Sequence, residues 1–175
     1  MELEILHFFS DLHGTFFDKI VLFITHLGDK GFVWIGMALV FLFIKKYRKA
    51  GINMAVAMLI SLLVVNMFLK NLIERDRPFI TDPTLDNLVF EGSFSFPSGH
   101  TATSVTAAMS LFYWHKKEGI AAIVLAVLIS FSRIYICVHY PTDVLGGVVS
   151  GILISFVVFV VIRCISQKYN ERKLL

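Results

Sequence analysis

Residues 51–69 read GINMAVAMLISLLVVNMFL, 19 positions without a charged side chain, and run straight into Lys70. A helix that crosses the hydrocarbon core needs about 20 such residues, since each adds about 1.5 Å to a layer roughly 30 Å thick. Residues 144–162 repeat the pattern and end at Arg163. Working outward, three shorter uncharged runs, 31–44, 101–114 and 119–132, close on Lys45, His115 and Arg133. They can reach across if polar helix ends enter the interface and Lys or Arg stems snorkel. The chain is therefore expected to be an all-α integral membrane protein, a bundle of five transmembrane helices with room for a sixth.

Composition agrees. The chain of 175 residues is 57% hydrophobic and 17% charged, with 17 Phe, against about 45–50% and 25% in a soluble domain. A net charge of +3 needs no nucleic acid to explain it. Cys137 and Cys164 lie in separate apolar runs and read as small buried hydrophobes. The N-terminal MELEILHFFSDLHG carries acids where a signal peptide would carry cations, so no cleavable signal is expected.

A single membrane domain over 1–175 is predicted in three parts. Residues 1–30 place apolar side chains at helical spacing (Leu3, Leu6, Phe9; Phe16, Ile20, Phe23, Leu27) but interrupt them with Asp11, His13, Asp18, Lys19 and His26. They read as amphipathic helices lying in the interface, closed by a turn at Gly28-Asp29-Lys30-Gly31. Residues 31–165 form the bundle, and 166–175 a cytoplasmic tail. With five spans, the basic clusters at 45–49, at 116–117 and in the tail (Lys168, Arg172, Lys173) share one side, cytoplasmic by the positive-inside rule. The opposite, outer side receives the N-terminal region, the long loop 74–99 and the connection 134–142. There Lys70, Arg77, Ser98, His100, Arg133, His139 and Asp143 collect.

Ionisable groups beside membrane helices are expensive and usually functional. Lys70 and Arg77 lie seven apart, about two helical turns. Pro78 disfavours helix just before it, while Glu74 and Arg75 read as interfacial anchors. In Phe96-Pro97-Ser98-Gly99-His100, Ser98 suits a helix N-cap, Gly99 permits close approach of an anion, and the free N–H groups of a helix start attract one. Arg133 ends one helix, His139 follows six residues on, and Asp143 opens the next helix beyond Pro141. Such an Asp can accept from one imidazole nitrogen and leave the other with a nucleophilic lone pair. Together these groups suit a phosphate monoester or diphosphate, one His attacking and the other protonating the leaving oxygen. Asp76, Asp82, Asp86 and Glu91 are scattered, so neither a metal nor another cofactor is expected.

Lys70-x6-Arg77-Pro78, Pro97-Ser98-Gly99-His100 and Ser132-Arg133-x5-His139-x3-Asp143 resemble the three signature motifs of the type 2 phosphatidic-acid phosphatase superfamily, in order and at the family's spacings. The resemblance implies that His139 forms a phosphohistidine, Asp143 orients it, and His100 is the general acid. It also implies that Lys70, Arg77, Ser98, Gly99 and Arg133 hold the phosphate. Members in bacterial membranes usually have six spans and face the site outward, so the location implied is the bacterial inner membrane. The activity implied is a metal-independent lipid phosphatase, with undecaprenyl diphosphate as the leading substrate. Phosphatidic acid or phosphatidylglycerol phosphate is the alternative, and loop 79–96 is the place for a head-group selector. A vanadate-dependent haloperoxidase is a remoter alternative, disfavoured by the spans, and a non-catalytic lipid-phosphate transporter or sensor is disfavoured by His100, His139 and Asp143. The expected partners are the lipid substrate and the bilayer. Gly146, Gly147 and Gly151 would let helices approach closely within one chain or between two, which leaves the oligomeric state open.

Overall fold

A computed structural model describes residues 1–172, with side chains described to 168; Lys173 of the expected cationic tail lies outside the described residues, as does the side chain of Arg172. The described chain is helical without strands. Its elements are α1 (Glu2–Ser10), α2 (Phe16–Leu27), a 3-10 turn (Asp29–Gly31), α3 (Phe32–Phe43) and α4 (Arg48–Ser61). A π-helical stretch (Leu62–Leu69) then leads into α5 (Lys70–Ile73), α6 (Pro78–Thr81), α7 (Gly99–Trp114), α8 (Lys116–Tyr135) and α9 (Pro141–Arg172).

α7 is the axis, packed against α4, α8 and α9. Its face is made of small residues, with Ala102, Ser104, Thr106, Ala107 and Ser110 buried. The α9 glycines answer it. A Cβ at Gly147 would come within 2.8 Å of the Ser98 carbonyl oxygen, and one at Gly151 within 2.9 Å of that of Ala102. The close approach that the glycines allow is thus made within one chain. Several core polar groups are paired, as membrane burial favours: Trp34 Nε1 donates to Ser104 Oγ (3.0 Å), Asn53 Nδ2 to Ser110 Oγ (2.7 Å) and Trp114 Nε1 to Asn53 Oδ1 (3.3 Å), while the Ser61 and Thr106 hydroxyls are buried without a partner. Large apolar side chains such as Leu63, Met67, Leu153 and Val157 point outward, which in water would be a liability and in lipid is solvation.

Three helical stretches are long and apolar enough to cross a membrane: Arg48–Thr81, Lys116–Tyr135 and Pro141–Lys168. A fourth counts if Phe16–Leu27 and Asp29–Phe43, bent by 41°, act as one. This is fewer than the five expected, because α3 and α7 have only 12 and 16 residues. Both ends of α2 are held at one end of the bundle: Tyr135 Oη donates to Asp18 Oδ1 (2.8 Å) and Arg133 Nη1 to Thr25 Oγ1 (2.7 Å). α1 is tied there too, Glu2 accepting from Arg75 and Thr142. The basic residues 45–49 and 116–117 meet at the other end, where Tyr47 Oη donates to Glu118 (2.7 Å) and His115 bonds the Lys46 carbonyl (3.1 Å). Cys137 is buried as expected, but Cys164 is exposed on the outer face of α9.

Candidate active site

Lys70 and Arg77 converge by a break rather than along a continuous helix. α5 ends at Ile73, Glu74 takes a left-handed conformation (φ 49, ψ 36), and Arg77 is extended ahead of Pro78. The loop that follows grips both cations. Lys70 Nζ donates to the Phe94 carbonyl (2.8 Å) and Ser93 Oγ (3.2 Å). Arg77 donates to the Ser93 carbonyl (2.6 Å), Ser93 Oγ (3.1 Å) and the Val138 carbonyl (2.9 Å). Arg133 Nη1 bonds Thr25, Nη2 bonds Glu91 Oε1, and Glu91 Oε2 lies 3.5 Å from Arg77 Nη2. Arg77 and Arg133 are each 1% exposed. The Arg133 Nε–H is buried and has no partner, an uncommon state for a charged donor. Burial alone would raise the Glu91 carboxyl, but Arg133 and then Arg77 hold it below its ordinary value.

His139 sits on the α8–α9 connection with both ring nitrogens placed. Nδ1 lies 3.4 Å from Asp143 Oδ2 and 3.4 Å from Ser95 Oγ, and Nε2 lies 3.5 Å from Arg77 Nη1. Nε2 faces a donor that cannot accept, so its lone pair points at the guanidinium and the ring proton belongs on Nδ1. Asp143 is a hub: Oδ2 accepts from Ser95 Oγ (2.5 Å) and the Tyr140 N–H (2.8 Å), and Oδ1 from Arg75 Nη1 (2.6 Å). Burial, then the Arg77, Arg133 and Lys70 cations, hold the His139 imidazole well below its ordinary value.

His100, in the first turn of α7, pairs Nε2 with Asp29 Oδ1 (3.0 Å) on the turn before α3. Ser98 is at the N-cap position but makes no side-chain cap bond. Its Oγ accepts from Thr101 Oγ1 (3.1 Å), and its N–H donates to the Asp143 carbonyl (3.0 Å), which ties the start of α7 to the start of α9. Lys70, Glu91, Ser93, Gly99, His100 and His139 line one cavity of about 200 Å³. Gly99 lets the Asn66 side chain lie close against the backbone there, and a Cβ would force that amide to move.

All eight residues singled out in the sequence thus lie in or directly behind one cavity. The sequence reading missed Arg75, Glu91, Ser95 and Asp29. Glu91 had a signal, as the only charged residue between positions 87 and 99. Arg75 read as an anchor, whereas it bonds Asp143 and Glu2 and stacks on Tyr140, 3.8 Å from the ring centre. Ser95 and Asp29 look like ordinary loop residues until the fold supplies their partners.

The sequence pattern of the PAP2 superfamily matches residues 50–165. The chain is 34% identical to an undecaprenyl-diphosphatase of Sulfolobus acidocaldarius over 139 residues, 78% of this chain and 66% of that protein. It is 32% identical to the YbjG protein of Escherichia coli over 126 residues, 71% of this chain and 63% of that one. The chain therefore spans just under two thirds of the length of these two relatives. The crystal structure of a transmembrane PAP2-type phosphatidylglycerolphosphate phosphatase from Bacillus subtilis superimposes with a TM-score of 0.74 at 31% identity, covering 98% of this chain and 85% of that one.

Proposed function

Since the chain belongs to the PAP2 superfamily, we propose that it is a membrane lipid phosphate phosphatase that works through a phosphohistidine at His139. The observation that carries this reading is the His139 ring, which lines one cavity with Lys70 and His100 and is held on its Nδ1 side by Ser95 and Asp143, while Arg77 lies 3.5 Å from Nε2.

Lys70, Arg77 and Arg133, with the N–H groups at the start of α7, take the phosphoryl oxygens and the charge that develops on them. The orphaned Arg133 Nε–H supports this, because an anion would satisfy it. His139 Nε2 attacks phosphorus, the bond to the leaving oxygen breaks, and His100, backed by Asp29, gives that oxygen its proton. Neutral His100 then takes a proton from water, which attacks the phosphohistidine and frees inorganic phosphate. Arg75 and Ser95 hold Asp143, and Asp143 holds the tautomer of His139.

The contacts at both ends of α2 favour α1 and α2 as a cap over the site and α3, α4–α5, α7, α8 and α9 as five spans of a single domain. The exposed basic end then faces the cytoplasm, and the site faces the outer side of a bacterial inner membrane. The name of the archaeal relative favours undecaprenyl diphosphate as substrate; that of the superimposed structure keeps phosphatidylglycerol phosphate as a second candidate. The test is phosphate release in detergent from a panel of undecaprenyl diphosphate, phosphatidic acid and phosphatidylglycerol phosphate, with excess EDTA present. The expected result is turnover by the wild type and none by His139→Ala, which still binds lipid. An active His139→Ala protein would sink the mechanism.

A further inference from the structure

The polar cavity continues past His100. It shares Lys30, Leu62 and Thr103 with an apolar groove of about 280 Å³. Ile35 and Leu39 of α3 form one wall of the groove, and Met58 and Leu59 of α4 form the other. At the junction is the turn Asp29–Gly31. Its Asp29 carboxylate is engaged with His100. Lys30 beside it has φ 50 and ψ 11, a backbone conformation that residues with a Cβ rarely adopt. The ammonium group of Lys30 has neither a salt bridge nor a hydrogen bond among the described residues.

The cavity therefore has two sides with different chemistry. On the His139 side, where the phosphoryl group is attacked, Lys70 lines the cavity, and Arg77 and Arg133 lie behind His139 and Glu91. On the His100 side the leaving group must depart, and it meets Lys30 before it meets the groove. A phosphate monoester presents only an alcohol oxygen there, which needs the proton of His100 and no cation. A diphosphate presents a second phosphate, whose charge grows as the bridging bond breaks.

We infer that Lys30 is a specificity-determining residue that binds the departing phosphate of a lipid diphosphate whose tail lies in the α3–α4 groove. This rests on the phosphatase reading above and selects diphosphates over monoesters within it. The bond from His139 Nε2 to the terminal phosphorus forms, and the bond from that phosphorus to the bridging oxygen breaks. The electron pair stays on the bridging oxygen with the proton from His100, and the product is a lipid monophosphate. Lys30 offsets its charge with an ammonium–phosphate hydrogen bond.

The test compares farnesyl diphosphate with farnesyl phosphate, which carry the same tail, on the full chain in detergent. Lys30→Gly keeps the left-handed backbone, Lys30→Gln keeps the length without the charge, and Lys30→Arg restores a cation. For Lys30→Gly and Lys30→Gln, kcat/KM on the diphosphate is expected to fall on the order of 10- to 100-fold, the worth of one hydrogen bond to a charged group. On the monophosphate it should stay within about twofold, and Lys30→Arg should recover much of the loss. Equal losses on both substrates, or no loss on either, overturn the inference. So does a wild type that turns over only the monophosphate, which leaves the phosphatase reading standing. A folded wild type that releases phosphate from neither substrate, nor from undecaprenyl diphosphate, phosphatidic acid or phosphatidylglycerol phosphate, fails that reading itself.

Discussion

Both ends of the bundle are rich in lysine and arginine, and they are built in opposite ways. At one end Lys70, Arg77 and Arg133 are buried, each clamped by loop carbonyls, hydroxyls or Glu91. At the other, Lys45, Lys49, Lys116, Lys117, Arg163 and Lys168 are exposed. Their contacts lie in solvent: Lys46 donates to Tyr47 Oη (3.0 Å) and lies 3.6 Å from Glu118 with both side chains solvated, and Lys116 and Lys49 lie over the Phe112 and Trp114 rings at 3.8 and 5.5 Å. Charge alone does not distinguish the two ends. Desolvation does, because a buried cation costs several kcal/mol unless it is paired or has an anion to bind, whereas an exposed one snorkels at little cost.

The contrast can be broken most forcefully at Arg77. Arg77→Ala is expected to lower kcat/KM on a lipid phosphate about 10²- to 10³-fold, as for loss of one preorganised charge-stabilising donor. A loss below about fivefold would mean that burial at this end serves packing. Glu91→Gln tests the counter-charge. It leaves Arg133 and Arg77 without an anion, so thermal unfolding in detergent should show a loss of about 3 kcal/mol, partly restored by inorganic phosphate or vanadate, which bind the folded state. Stability unchanged by the substitution and by phosphate would remove the argument from desolvation.

The next effect is in pH. The folded His139 value lies below the unfolded value of about 6.5. The nucleophile therefore stays neutral as pH falls through 6.5, and its acid limb in kcat/KM appears below that point. Arg77→Gln removes a cation that depresses it and should move the limb upward. The stability sign follows: below about pH 6.5 the unfolded chain binds a proton at His139 that the folded chain does not, so this residue makes stability fall with acid. A limb at or above 6.5 in the wild type contradicts the buried, cation-flanked imidazole. The smallest effect belongs to the other end. Replacing Lys45, Lys49 and Lys116 together with Gln should leave turnover in detergent within about twofold, since exposed pairs contribute little; a tenfold loss would erase the contrast between the ends.

The uncharged runs, the cluster around His139 and its kinship with a known family were legible because hydropathy period and motif spacing are local properties. The start of α7 at Gly99 was equally legible, while the use of the Ser98 hydroxyl was not, since Thr101 competes for it. The expectation of spans at 31–44 and 101–114 rested on uncharged runs alone, and the helices there have 12 and 16 residues. Uncharged runs show what lipid tolerates, whereas α7 is largely enclosed by other helices and need not meet the length that lipid exposure imposes. Cys164 was misjudged because an apolar neighbourhood means burial in water but a lipid face in a membrane.

By itself the sequence determined the solvent of this protein, since no aqueous core accommodates those runs, and the inventory of its site, since Lys, Arg, His and Asp beside membrane helices are too expensive to be incidental. Only the tertiary structure decided who partners whom. Asp143 is held by Arg75 and Ser95, the Arg133 guanidinium by Glu91, and His100 by Asp29, across separations of 42 to 71 residues. Only the fold, too, placed Lys30 where the polar cavity meets the apolar groove. Such pairings depend on how α1, α2 and the loop 79–96 close over one end of the bundle, and no periodicity in a chain encodes a contact between segments that meet only after folding.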